Sequence, residues 1–397
     1  MKTYSYDMSN VPAEERTFFQ EMIPYVSEFV LGASCSGGSL LIEYETIGEE
    51  ILVEKVQRLE TMIINQLKGA ASKPLQTKVL TDCSNVTPPN RKDVFQDLVD
   101  CGAITQFNRG SFVYSGIFCK VMRYFENRVE AFAKEVFGKY ENYRMPDLIP
   151  IVAYEKGGYF DTFPHHIMFQ TTLANDLKVI DKFSRDKTSD PAIFDCLKTP
   201  QNVLRTAACM PLYPVLEHAR IPQDKPGKFV VEGHCFRNEE GNVKTLERVN
   251  EFTMKELVCV GTPDQTSEFL VRCKELWLTW QDVFGLNMRI ETANDSFFAN
   301  NYKKLRLFQL LGDAKCEYKL LVPGSGAYIS CSSANAHRTH FTKTYDIKTA
   351  ETEACCHSSC FAFGIDRLSY ALLSQLGLDV ETWSTSAREE LSRYVAL

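Results

Sequence analysis

A chain of 397 residues with 44% apolar, 12% aromatic and 24% charged side chains can bury enough surface to offset the entropy of ordering it, which excludes a disordered or fibrous protein. Charges such as Glu28 and Asp366 interrupt every apolar run before it reaches the ~18–20 residues that span a bilayer, so no membrane partner is expected. The formal net charge of −7 argues against an affinity dominated by phosphate neutralisation.

Lys2 is followed by Tyr4, Asp7 and Glu14 with no apolar stretch behind them, unlike a secretory signal, and a cytoplasmic location is expected. The 14 cysteines then read as reduced thiols, some of them able to hold metal, rather than as the bridges of a short secreted scaffold.

The first hundred residues carry nine Lys/Arg against fifteen Asp/Glu, a net of −6 that leaves −1 for the remainder. This asymmetry predicts an acidic N-terminal module over residues 1–100 and a catalytic domain over 101–397. Within the module, Ser39 to Thr46 has strand character, and Ile51, Val56, Leu59, Ile63 and Leu67 fall near helical spacing. Ala70 to Arg91, rich in Ser, Thr, Pro and Asn, reads as a linker or surface loop. Gly116 to Phe137 predicts an amphipathic helix, and Pro146 and Pro150 turn the chain that follows toward extended conformations. Phe229 to Phe236, Phe252 to Gly261, Tyr318 to Pro323 and Ala327 to Cys331 are β-rich, whereas Thr266 to Phe284 and Ile365 to Leu376 have helical spacing. Periodicity thus gives an α+β fold with one large mixed sheet.

Two segments carry the chemistry. Cys235 to Glu256, CFRNEEGNVKTLERVNEFTMKE, reads as an antiparallel hairpin presenting Arg237, Glu239, Arg248 and Phe252 on one side. Guanidiniums clamp phosphates through paired charge-assisted hydrogen bonds, and an aromatic ring stacks on a base, although most Arg/Glu-rich turns are simply solvated. In Cys360 to Leu373, CFAFGIDRLSYALL, a small-residue strand meets Gly364 and a helix bearing Arg367 in its first turn, a position from which Arg reaches a terminal phosphate.

Taken together these segments resemble motifs 2 and 3 of class II aminoacyl-tRNA synthetases, and the helix leading to Pro146 resembles motif 1, the dimerisation element. AACMPLYP (207–214), ETANDSFFA (291–299), KLLVP (319–323) and SCSSANAHRTHF (330–341) narrow the resemblance to the amino acid:[carrier protein] ligases, relatives of the zinc-dependent seryl-tRNA synthetases of methanogens. It covers about Gly102 to Leu378 and implies an antiparallel class II synthetase sheet flanked by helices, in a homodimer.

The resemblance also implies a Zn²⁺ held by Cys209, Glu256 and Cys360, leaving one position open for the substrate amine. Cys355, Cys356 and His357, a metal cluster by composition, are read as loop residues. Arg237 is expected at the α-phosphate and the attacking carboxylate, and Glu239 at the adenine amino group. Arg248 is expected at the β/γ-phosphates, Phe252 under adenine, and Arg367 over adenine and the γ-phosphate. Ser333 and Asn335 are expected to touch the amino acid. Mg²⁺ should accompany ATP, with Glu317 the carboxylate nearest to hand. Departures from the family pattern are Met210 in place of His, Ser296 in place of Pro, and Lys319 in place of an acidic residue.

The expected activity is ATP-dependent activation of a small amino acid, glycine, alanine or serine, and its transfer to the phosphopantetheine thiol of a carrier protein. The alternatives are a tRNA-charging enzyme, which an acidic rather than basic appendage disfavours, and an inactive regulatory paralogue, which the retained motif arginines disfavour. Thr266 to Trp280 and Lys303 to Arg306, where basic and aromatic residues meet, are the expected docking region for the carrier.

Overall fold

The structure, a computed structural model, describes residues 1–36, 39–68, 77–186, 191–293 and 314–396. The N-terminal unit pairs strands β1 (Lys2–Asp7), β2 (Val30–Ser36) and β3 (Ser39–Tyr44) antiparallel in the order β1-β3-β2. Alternation along β3 buries Leu40, Ile42 and Tyr44 on one face. Against that face lie Leu52, Val56, Leu59 and Ile63 of helix α2 (Glu49–Lys68), and Phe18, Phe19 and Met22 of helix α1 (Arg16–Met22). At ~1.5–3 kcal/mol for each fully buried large apolar side chain, this patch sustains a core of its own.

The separate core ends at Ile63, earlier than the charge shift near residue 100. Val79–Asp82, inside the stretch read as a linker, forms β4 at one edge of the large sheet, and Leu98 of a short helix (Phe95–Asp100) is buried in the large core. Composition marked the loops on either side of β4 but not β4 itself, because the strand is four residues long and mostly exposed.

A hairpin, β5 (Ile104–Asn108) and β6 (Ser111–Tyr114), turns at Gly110, where φ of +75° suits a residue without Cβ. Helix α3 (Gly116–Phe137) follows, then β7 (Glu141–Arg144), which stops before Pro146 as expected for a residue lacking a ladder donor. The remaining sheet strands are β8 (Gly227–Phe236), β9 (Glu251–Gly261), β10 (Met288–Thr292), β11 (Lys315–Val322), β12 (Ala327–Arg338) and β13 (His357–Gly364). The eight-stranded sheet runs β4-β10-β11-β12-β13-β9-β8-β7, antiparallel except where β7 lies parallel to β8.

One face of the sheet is covered by α3, by α4 (Pro263–Phe284) and by α5 (Ile365–Leu376). α4 begins at a capping box, in which Thr262 Oγ1 accepts from Gln265 N at 3.3 Å and Gln265 Oε1 accepts from Thr262 N at 2.9 Å. Phe269, Cys273, Trp277 and Trp280 of α4 are buried in the core, so the aromatic residues of the proposed docking stretch face inward. The basic stretch Lys303 to Arg306 lies outside the described residues. With one face closed by helices, the other is left to form a cleft.

Candidate functional site

β9 and β13 are adjacent and antiparallel, with Glu256 opposite Ala362 and Val258 opposite Cys360. Period-2 alternation therefore sends Glu256 and Cys360 to the same face, the one turned away from the helices. Cys209 arrives from the loop before Leu212–Val215, and its backbone N–H donates to Glu256 Oε1 at 3.0 Å. The two thiols and the carboxylate are all buried, with ligand atoms within 4.8 Å of one another. Among the described residues this is the one group of three or more His/Cys/Asp/Glu gathered to hold an ion. The Cys209 thiol, in contact with Cys360, buried and facing Glu256, is pushed well above the usual thiol range. Cys360 is held down by the bond from Cys209 but is raised overall by burial and by Glu256. Two thiols and a carboxylate crowded together in a buried group fit a soft-to-borderline divalent cation such as Zn²⁺.

β12, on the other side of β13, supplies the polar wall. Asn335, opposite Cys360 in register, donates through Nδ2 to Ser333 Oγ at 3.1 Å and to Cys360 Sγ at 3.4 Å. His337 Nε2 lies 3.5 Å from Cys360 Sγ, while its Nδ1 is 2.9 Å from the buried Tyr213 hydroxyl. The spacing 333, 335, 337 puts three polar side chains in a row beside the thiols, and this row includes a histidine that pattern reading had left without a role.

The cationic end is built from the β8–β9 connection and the first turn of α5. Arg237 follows β8, and its guanidinium lies 5.2 Å from the Phe252 ring centroid while donating to Thr206 O at 3.2 and 3.3 Å. Arg248 is in the loop, three residues before β9 begins. Its Nη2 donates to Glu21 Oε1 at 3.1 Å, and its Nε is 3.7 Å from Glu239 Oε2. Despite burial, these two carboxylates hold the Arg248 guanidinium above its ordinary pKa. Arg367 donates to Ser330 O at 3.1 Å, and burial together with Arg248 and Arg237 lowers its pKa. Beside it, buried Asp366 accepts from Thr253 N at 2.6 Å, and burial pushes its carboxyl up to about 6.

All ten side chains singled out from sequence, Cys209, Arg237, Glu239, Arg248, Phe252, Glu256, Ser333, Asn335, Cys360 and Arg367, line one cavity of about 1860 Å³. Glu317 lines it too, but shares its carboxylate with Lys315 and Lys319, each at 3.6 Å, while Lys319 reaches Glu291 at 2.9 Å. Cys355 is exposed and Cys356 buried just before β13, and neither joins a metal-competent group. Met210 is buried beside Cys209, and Ser296 is outside the described residues. Glu21, Tyr213, Asn250 and Asp366 also belong to this region. Only their tertiary placement reveals them, since each is an ordinary residue of its own helix, loop or turn.

Residues 197–376 match the tRNA synthetase class II core domain (G, H, P, S and T). A crystal structure of A. aeolicus tRNASec in complex with M. kandleri SerRS superposes with a TM-score of 0.70 at 20% identity, over 93% of this chain and 75% of that one. The chain therefore has a class II synthetase fold.

Among curated proteins, "Amino acid--[acyl-carrier-protein] ligase 1" and "ligase 2" of Bradyrhizobium diazoefficiens are each 32% identical to it. The matches cover 63% and 62% of this chain and 76% and 73% of those proteins. A "Type-2 serine--tRNA ligase" of Methanothermobacter thermautotrophicus is 25% identical over 91% of this chain and 74% of its own length. The chain belongs to the amino acid–[acyl-carrier-protein] ligase family. No helix among the described residues is long and apolar enough to cross a membrane.

Proposed function

We propose that the protein activates a small amino acid, glycine, alanine or serine, with ATP and passes it to the phosphopantetheine thiol of a carrier protein. The observation that carries this reading is the convergence, in one cavity, of a thiol–thiol–carboxylate group, a polar Ser333–Asn335 wall and three arginines. Each end suits one substrate. Cys209, Glu256 and Cys360 would hold a Zn²⁺ that, when bound, supplies a Lewis-acid seat for a neutral amine.

Ser333 and Asn335, next to Cys360, orient the bound amino acid so that its carboxylate points toward Arg237. Phe252 stacks under adenine, with the guanidinium of Arg237 at its rim, and Glu239 accepts from the adenine amino group. Arg248 and Arg367 take the β/γ-phosphates, with Mg²⁺ accompanying the nucleotide. A substrate carboxylate oxygen then bonds to the α-phosphorus as the bond to pyrophosphate breaks, so the products are aminoacyl-adenylate and pyrophosphate. Positioning and charge stabilisation carry this step and no general base is needed. In the second half-reaction the carrier thiol takes the aminoacyl group, releasing AMP.

We assign the N-terminal unit, whose own core ends at Ile63, to an acidic accessory module and the large sheet with its helices, to which β4 and Leu98 belong, to a catalytic domain that dimerises through α3 and β7, and we expect the enzyme in the cytoplasm. A tRNA acceptor is the second reading, favoured by the 91% of this chain matched by the serine–tRNA ligase. The net charge of −6 on the first hundred residues argues against it, because a tRNA-binding appendage is expected to be basic.

Amino acid-dependent ATP–pyrophosphate exchange, followed by transfer to phosphopantetheinylated carrier or to tRNA, tests both halves. Exchange with a small amino acid and labelling of the carrier alone are expected, and Arg237→Ala should cut exchange by about 10³-fold or more. Exchange at the wild-type rate in that variant would remove Arg237 from the reading, and labelling of tRNA alone would replace the acceptor.

A further inference from the structure

The loop that carries Glu239 and Arg248 anchors Leu246 and Val249 in the large core, but its charged residues are held by contacts from outside the sheet. Between the last residue of β8 and the first of β9 it is gripped from two sides, and one of those sides is the N-terminal unit. The Tyr25 hydroxyl donates to Asn238 O at 2.8 Å, Asn242 Nδ2 donates to Glu21 O at 2.9 Å, and Arg248 Nη2 donates to Glu21 Oε1 at 3.1 Å. At Gly241 the two backbones come so close that a Cβ would sit 2.8 Å from Leu31 O and 3.1 Å from Gly32 Cα.

On the opposite side the β5–β6 turn holds Asn250. The Asn250 backbone N–H donates to Gly110 O at 2.8 Å and its Nδ2 to Arg109 O at 3.1 Å, while Arg109 Nη2 donates to Leu31 O at 3.0 Å. Asn250 in turn accepts from Arg237 N at 2.8 Å and, through Oδ1, from Glu239 N at 3.1 Å. The clamp therefore reaches Arg237, Glu239 and Arg248.

We infer that the N-terminal unit is a working part of the nucleotide site, in which Glu21 is a positioning residue that aims Arg248 at the triphosphate and Tyr25 is one that fixes the loop carrying Glu239. This rests on the reading above that Arg248 and Glu239 meet ATP. An arginine in open solvent loses rotamer freedom when it closes on a phosphate, and a carboxylate that fixes it beforehand removes that cost. Glu21 engages Nη2 and leaves other N–H groups of the guanidinium for an anion. Glu21 itself, with Thr17 and Phe18, lines the cavity. Tyr25 remains a protonated donor, because burial and the nearby Glu239 push its hydroxyl far above its ordinary pKa. Its ring meets His165 edge-on at 4.9 Å.

The two residues act on different ends of the nucleotide, and that separates them from a merely structural contact. ATP and AMP are titrated into the full-length wild type, Glu21→Ala, Glu21→Gln and Tyr25→Phe, with thermal melts confirming that each variant is folded. Glu21→Ala should weaken ATP by about tenfold and AMP by less than about twofold, because AMP lacks the phosphates that Arg248 takes. Glu21→Gln, whose amide oxygen still accepts from Arg248, should recover most of the ATP affinity. Tyr25→Phe should weaken both nucleotides alike, by about threefold.

Equal loss of ATP and AMP in Glu21→Ala, unchanged ATP binding, or tighter ATP binding, which would make Glu21 a competitor of the triphosphate, overturns the inference. A wild type that binds no ATP removes the functional reading along with it. A wild type that binds ATP no better than its variants removes this inference alone.

Discussion

The two ends of the cavity are built by different means. The thiol–carboxylate end rests on β9, β12 and β13, neighbouring strands whose ladder fixes Glu256, Asn335 and Cys360 in register. The arginine end rests on a loop contacted by residues more than 130 positions away, Glu21, Tyr25 and Arg109 among them. Donors for a small ion tolerate errors of only ~0.2 Å; the central strand pair supplies that precision for Glu256 and Cys360, and the hydrogen bond from Cys209 N to Glu256 ties the third donor to it. A long, charged, flexible substrate can be met by a loop, provided something else holds that loop still.

Cys360→Ala should lose metal affinity by more than the ~10–100-fold that outer partners of a metal ligand cost, read as metal content after purification and by chelator competition. In the wild type, affinity should climb with pH, because Cys209 and Cys360 are held protonated and must lose protons to bind. A Cys360→Ala protein purified with a full complement of metal would show that these three residues are not the ligands.

The loop end is addressed by Gly241→Ala. Its Cβ would meet backbone of the N-terminal unit rather than a movable side chain, so the unit or the loop must shift, at a cost of ~1–3 kcal/mol typical of overpacking. The expected result is a KM for ATP raised several-fold in the exchange assay with metal content unchanged. Loss of metal in this variant would mean that the two ends are not separable.

Asp366 ties the strand of Phe252 to the helix of Arg367, and here the expected effect is on stability alone. Its folded pKa of about 6 stands above the ordinary 3.8, so the fold favours the neutral acid. The contribution to stability is complete below the ordinary value and is lost as pH rises through about 6. Asp366→Asn cannot ionise, so its stability relative to wild type should improve by up to about 3 kcal/mol between roughly pH 4 and pH 7. Melting curves across that range check it, and a pH-independent difference would mean that Asp366 does not titrate in this window.

The helical and strand segments with strong periodicity were legible in the sequence. Ile365 to Leu376 was delimited as it stands, and the Ala327 to Cys331 reading was a strand that in fact continues to Arg338. β4 was lost because four mostly exposed residues carry no alternation to detect. The aromatic residues of Thr266 to Trp280 looked like a docking surface because a helical stripe of aromatics reads the same whether it faces a partner or its own sheet.

Arg237, Glu239, Arg248, Phe252 and Arg367 fall in two short segments whose order and spacing are specific, and they resemble a known pair of motifs. The metal group could not be had from spacing. Cys209, Glu256 and Cys360 are 47 and 104 positions apart, and only strand register and a loop crossing bring them within reach of one ion. The role of the first sixty residues was likewise decided by tertiary structure. Glu21 and Tyr25 are ordinary helix and turn residues in sequence, and reach Arg248 and Asn238 only because the N-terminal unit, with a core of its own, packs its α1 edge against the β8–β9 loop.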